Sequence, residues 1–213
     1  MPTGDYRLNN DKKVAGVTTI MSPFKDQSAL IHWAWGCGMK GIDYKKERDK
    51  AGGQGTSIHD LAEKYILDQE FELPDDKKIQ KAFAKFVNWW DSQQYQIVWT
   101  EKQMVSETYE FGGCPDLLVK DKDEKFVLID FKTGKHIYQE TVIQLGAYAR
   151  LIFENEGNHI TKGIIVRLPK DNSKLETKEF NPSQLTLGWD QFKLFREAHS
   201  NNKIIDTYFR KDK

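Results

Sequence analysis

The sequence predicts an α/β fold, a mixed central β-sheet flanked by helices and preceded by a helical N-terminal region. Two observations predict it. The apolar spacing is helical up to about residue 92, strand-like between 96 and 133, helical again over 140–155 and strand-like after 162. Within the strand-like part, Phe126, Val127, Leu128 and Ile129 form a near-continuous apolar run, as expected of a strand covered on both faces. The 213 residues form one domain, long enough to bury a full core. Residues 1–55 read as a helical or arch-like region and residues 56–213 as the core that carries the chemistry.

The first helix is predicted from Asp26 to Lys40. The stretch from Gly36 to Gly55, rich in Gly, Lys and Asp, reads as a mobile lid or arch, with Gly52, Gly53 and Gly55 as a flexible turn. Thr56 or Ser57 then caps a helix over 56–68. A third helix is predicted over 75–92, where Phe83, Phe86, Val87 and Trp90 recur at helical spacing. Strands follow at 96–109, with a break, and at 113–120 and 126–133. The helix from Glu140 to Asn155 has Val142, Leu145, Ala149 and Ile152 on one apolar face. Strands near 162–169 and 174–180 precede a last helix from Pro182 to His199, whose proline suits a first turn. Most of the six tryptophans read as core; Trp33 and Trp35 are the pair expected to be exposed near a substrate path.

The two runs 113–120 and 126–133 are separated by Asp121, Lys122, Asp123, Glu124 and Lys125, a polar connection of hairpin length. A hairpin symmetric about Asp123 makes Asp116 and Asp130 direct cross-strand neighbours, with Cβ atoms roughly 4.5–5.5 Å apart. Two like charges there need a counter-charge, which a divalent cation and Lys132 supply. Side chains alternate along a strand, so Asp130 and Lys132 share a side and Phe131 takes the other. Gln144 and Tyr148 lie four residues apart on their helix, where an amide and a flat phenol ring suit a base or a sugar. His59 and Glu63 also stand at i and i+4, which suits an imidazole ligand with a carboxylate beside it.

Lys and Arg number 32, as do Asp and Glu, so no global basic field exists and indiscriminate coating of nucleic acid is disfavoured. A local groove remains open, with Lys135, Arg150, Arg167 and Lys170 as candidates for phosphate contacts. Cys37 and Cys114 are far apart, no leader or membrane-spanning run is evident, and a reducing cytoplasm is expected with no membrane partner. Cys114 reads as a small buried apolar residue on the strand before Asp116.

The order GTSIHDLAE, GGCPDLL, LIDFKTGK and QLGAY resembles the PD-(D/E)XK nuclease superfamily, and within it the RecB-like exonuclease branch and its small phage-type members. The resemblance implies a restriction-endonuclease-like core and a phosphodiester hydrolase. It assigns Asp116 and Asp130 as acidic metal ligands and Lys132 as the residue that orients or polarises the attacking water. It adds His59 and the carbonyl of Phe131 as metal ligands, with Glu63 a weaker transfer, and Gln144 and Tyr148 as the grip on the DNA strand. Mg²⁺ or Mn²⁺ is the implied cofactor, imidazole tilting the choice toward Mn²⁺. Relatives that hold an iron–sulfur cluster use four cysteines, which two cannot replace. DNA is the implied partner, with a recombination or helicase protein beside it. The implied activity is an exonuclease on single-stranded ends in recombination, repair or phage DNA processing; an endonuclease and a non-catalytic DNA-binding protein are the alternatives.

Overall fold

The computed structural model describes residues 4–209. A five-stranded mixed sheet runs in the order β3 (Gln96–Thr100), β6 (Leu117–Lys120), β7 (Phe126–Lys132), β8 (Ile160–Arg167) and β9 (Glu176–Phe180). All neighbours are antiparallel except β7 and β8, which are parallel and joined through α5 (Glu140–Glu156). Side-chain alternation along these strands divides the core into two layers. Leu118, Leu128 and Ile165 face α1 (Val17–Met21), α5 and α6 (Pro182–Phe209), packing with Ile20, Leu145, Leu151 and Phe192. Leu117, Val119, Val127, Ile129 and Phe131 face α3 (Tyr44–Ile66) and α4 (Lys77–Trp90), packing with Ile58, Leu61, Phe83 and Phe86. The central strands are covered on both sides, as the apolar run in β7 predicts.

A second sheet accompanies the expected central one. The 113–120 run is broken at Pro115, which has no N–H to give to a ladder. Gly113, its first residue, ends β5 (Phe111–Gly113) of a second sheet, ordered β1 (Tyr6–Arg7), β2 (Lys13–Gly16), β5 and β4 (Met104–Ser106). The second part of the run is β6. Cys114 therefore lies between strands and is only partly buried, with a free thiol.

The flexible turn at Gly52–Gly55 is also absent, and so is a cap at Thr56 or Ser57. α3 is one helix of 23 residues that begins after Asp43, whose carboxylate accepts from the N–H groups of Lys45 and Lys46. Thr56 and Ser57 donate instead to the carbonyls of Gly52 and Gly53 one turn earlier. A Cβ on Gly55 would come within 2.9 Å of Thr133 Oγ1, so the glycine lets α3 lie close to the end of β7. The lid expected over 36–55 is the end of α2 (Ser28–Gly38), a turn, and the first half of α3. α6 runs ten residues past its expected end at His199. α5 and α6 cross at two glycines, where a Cβ on Gly146 would meet the Trp189 nitrogen at 2.3 Å. No described helix is long and apolar enough to cross a membrane.

Candidate active site

The β6–β7 register pairs Leu117 with Ile129 and Val119 with Val127, so continuing the ladder one step sets position 116 opposite position 130. β6 begins only at Leu117, and Asp116 stands where its ladder has stopped. Its Oδ2 accepts the Phe131 N–H at 2.8 Å, so a carboxylate occupies the place a backbone carbonyl would have filled. Asp130 and Lys132 share one side of β7, and the Lys132 ammonium lies against Asp130 Oδ2. His59 reaches the same end of the sheet from α3, with Nδ1 3.5 Å from Asp116 Oδ2 and its ring edge-on to Phe131. α3, β6 and β7 thus bring His59, Asp116, Asp130 and Lys132 together.

Burial governs the electrostatics. It pushes the Asp116 carboxyl up to about 7 and Asp130 up to about 6, while Lys132 pulls both back down. Burial also lowers His59 to about 4, and the Lys132 charge adds to that. His59 Nδ1, Asp116 Oδ1 and Asp130 Oδ1 are buried without a hydrogen-bond partner, while Asp130 Oδ2 faces the Lys132 ammonium. Buried polar atoms are normally satisfied, and three unsatisfied ones at one spot fit a bound cation. Among the described residues no three His, Cys, Asp or Glu side chains form a finished cage. The imidazole and the first carboxylate make one pair, and the second carboxylate is held by the lysine.

A cleft of about 380 Å³ opens on this end, lined by Ala51, Gly52, Gly55, Thr56, His59, Phe131, Lys132, Thr133 and Gly134. Behind it, a void of about 10 Å³, room for one water-sized occupant, is lined by His59, Glu63, Thr100, Glu101 and Asp116 among others. Glu63 accepts from Thr100 Oγ1 at 2.8 Å there. Glu101 was missed by sequence reasoning. It sits at the break after β3 with φ 41°, its N–H donates to the Asp116 carbonyl, and burial together with Glu63 raises its carboxyl. The only signal was an acid at the break predicted in the 96–109 run.

Gln144 Nε2 donates to the Tyr148 hydroxyl at 2.9 Å, so these two do meet. The Tyr148 ring is buried, however, and packs so tightly on β5 that a Cβ on Gly113 would lie 2.8 Å from it. It offers no face for a base, which corrects the stacking role; its hydroxyl, near the charge of Asp130, remains. Arg150 is not at the cleft. It pairs with Glu154, lies over the rings of Tyr109, Phe153 and Trp189, and lines a separate cavity between α5 and α6. Arg167 is buried and committed to Glu176 and the Lys174 carbonyl, which leaves it no free charge for a phosphate. Lys135 is exposed one residue beyond the cleft wall. Lys170 donates to the carbonyl of Ala51, on the cleft rim. Trp35 is exposed on α2, and Trp33 is half-buried, edge-on to Tyr44.

Comparison with known proteins gives three likenesses of low identity. An uncharacterized protein of Ureaplasma parvum serovar 3, UU146, is 23% identical over 134 residues, covering 59% of this chain and 64% of that protein. The chain thus spans less than two thirds of that relative's length. The crystal structure of SSO0001 is 20% identical with a TM-score of 0.30, covering 45% of this chain and 49% of that one. The crystal structure of a proposed exonuclease from Eubacterium rectale is 13% identical with a TM-score of 0.41, covering 82% and 69%. The model of one family matches residues 32–204, a span that runs from α2 almost to the end of α6 and holds every residue of the cleft, and on that match the chain belongs to the PD-(D/E)XK nuclease superfamily.

Proposed function

We propose that the protein is a RecB-like, divalent-metal-dependent deoxyribonuclease that hydrolyses phosphodiester bonds from the ends of single-stranded DNA. The observation that carries this reading is the set of buried, unpartnered ligand atoms of His59, Asp116 and Asp130 beside Lys132, at the floor of an open cleft. His59 Nδ1, Asp116 Oδ1, an Asp130 oxygen and the Phe131 carbonyl would hold Mg²⁺ or Mn²⁺, with Glu63 nearby. When bound, the ion neutralises phosphate charge and lowers the pKa of a water. Lys132 orients that water or holds a phosphate oxygen. Asp116 is itself fixed by the Phe131 N–H, so its free oxygen has one direction only. The Gln144–Tyr148 pair and Lys135 engage the strand.

The end-directed reading rests on the order of the His59, Asp116, Asp130 and Gln144 motifs. Two free thiols support a cytoplasmic setting, and a recombination or helicase protein is the partner to seek. The test is digestion of 5′-labelled and 3′-labelled single-stranded oligonucleotides beside circular single-stranded DNA, with Mg²⁺, Mn²⁺ or EDTA, using the native chain and Asp130→Ala. Metal-dependent loss of linear DNA alone, absent in the variant, is expected, and the surviving label gives the polarity. Cutting of the circle would make it an endonuclease, and no cutting under any condition would overturn the enzymatic reading.

A further inference from the structure

In a chain with equal numbers of acids and bases, lysines are expected to find carboxylates. Several do. Lys12 pairs with Glu110, Lys102 with Glu156, Lys162 with Glu179 and Lys193 with Asp190. One group does not. Lys78, Lys81 and Lys85 on α4, Lys170 in the β8–β9 loop and Lys50 on α3 have no carboxylate within salt-bridge distance among the described residues.

The partners these ammonium groups do have are neutral. Lys85 Nζ donates to the carbonyls of Pro169 and Asp171, Lys81 Nζ to the side-chain oxygen of Asn172, and Lys170 Nζ to the carbonyl of Ala51. A neutral oxygen fixes an ammonium without cancelling its charge. The two acids that face the group are already engaged. Asp76 caps α4 through the N–H groups of Lys78 and Ile79 and accepts from Gln54, and Asp171 caps its own turn through Ser173. Burial lowers both Lys170 and Lys85; Lys78 adds to the first, with Asp76 opposing it, and Asp171 opposes the second ahead of the smaller lowering by Lys81 and Arg167.

The group is continuous with the cleft. Ala51, which receives the Lys170 ammonium, lines the same cleft as His59 and Lys132. From there Lys78, Lys81 and Lys85 follow α4 at intervals of three and four residues, a track about 10 Å long at the helical rise of 1.5 Å per residue. We infer that this lysine track is the face along which the phosphates of a nucleic-acid strand run as its end lies in the cleft. The inference rests on the nuclease reading above and adds to it the side of the molecule from which the strand arrives. Backbone phosphates are the chemistry it fits, since the track holds charge and no aromatic ring.

The test measures anisotropy of a fluorescein-labelled single-stranded 30-mer with EDTA over a range of KCl, for the native chain and for Lys78→Gln/Lys81→Gln. Lys85 is left alone because it straps the β8–β9 loop. A control, Lys122→Gln/Lys125→Gln, removes the same charge from the β6–β7 turn. For single strands each lost phosphate contact lowers the slope of log K against log salt by about 0.7, so a fall of about 1.4 and a loss of affinity of tenfold or more are expected for the track variant. The control should stay within twofold of the native chain, and both variants should keep its melting temperature. Native binding that the track variant retains, or loses no more than the control does, would overturn the track and leave the nuclease reading standing. A native chain that binds no nucleic acid would overturn both.

Discussion

Two polar constellations are buried in this molecule, served by different faces of α5, and they differ in how their atoms are satisfied. In the first, Glu154 takes Arg150 Nε on one oxygen and Ser106 Oγ on the other, each at 2.5 Å, while the Tyr109 N–H donates to Ser106. Three aromatic rings lie by the guanidinium, and no fully buried side-chain atom of the group is left without a partner. In the second, at the end of β6 and β7, Asp116 has one hydrogen-bond donor for two oxygens, Asp130 has the Lys132 ammonium alone, and His59 Nδ1 has only the long contact to Asp116 and no hydrogen bond. Burying a polar group stabilises a fold only when its partners are built in. The first constellation is therefore a fastening, and the second is a cost that protonation, or the proposed cation, would offset.

Substitutions should split along this difference, most of all in activity. Asp116→Ala should lower cleavage by about 10³-fold or more, because it removes a ligand and the charge that the cation needs. Its melting temperature without metal should fall less than that of Glu154→Ala, because the relieved carboxylate charge offsets the freed Phe131 N–H. Glu154→Ala should do the reverse. It strands Arg150 and leaves buried Ser106 without its acceptor, a loss of about 3 kcal/mol against near-native turnover. Chemical denaturation and a nuclease assay on the two variants check the pair. Equal effects on both readouts would mean that the two constellations do one job.

The next largest effect is in the pH dependence of stability without metal. Asp116 at about 7 and Asp130 at about 6 lie above the ordinary carboxyl value of 3.8. A carboxyl raised on folding stabilises fully below its unfolded pKa and loses that contribution as pH climbs through the folded value. The native chain should match Asp116→Asn/Asp130→Asn near pH 4 and fall below it by on the order of 5 °C at pH 8. His59, lowered to about 4, has the opposite sign between 6.5 and 4; it is present in both chains and largely drops out of the difference. Millimolar Mn²⁺ at pH 8 should then raise the melting temperature of the native chain alone and reverse the order. A native chain already as stable as the double variant at pH 8 in EDTA would mean the sheet end is not under electrostatic stress.

How far this could be read in advance depended on the range of the interaction. The hairpin register, and with it Asp116 opposite Asp130, followed from side-chain alternation and a symmetric turn, both local. His59 and Glu63 on one helical face followed from spacing. The second sheet did not, because β2 and β5 meet in parallel from 95 residues apart and nothing in FGGC marks such a partner. Nor did the unbroken α3, since three glycines in five residues argue for a turn unless the approach of Thr133 is known. Arg167 misled for the same reason, since only the pairing of β8 with β9 sets it against Glu176, whereas the Arg150–Glu154 pair stands at i and i+4 on α5 and was open to the spacing argument.

Tyr148 tests the comparison most finely, since it belongs to both sides of it. Its ring is structural, filling the space over Gly113, and its hydroxyl points to the unsatisfied end, held by Gln144 near the Asp130 charge. Tyr148→Ala should therefore cost about 3–5 kcal/mol through the cavity it leaves. Tyr148→Phe keeps the ring and removes one hydrogen bond from Gln144, which is only partly buried and can turn to water, so its stability should change by about 1 kcal/mol or less. What the phenylalanine variant should lose is strand engagement: KM for a single-stranded oligonucleotide should rise about tenfold, with Mn²⁺ affinity by calorimetry unchanged. Lost Mn²⁺ affinity would instead make the hydroxyl a positioning group for Asp130, moving Tyr148 from the strand's side of the cleft to the metal's.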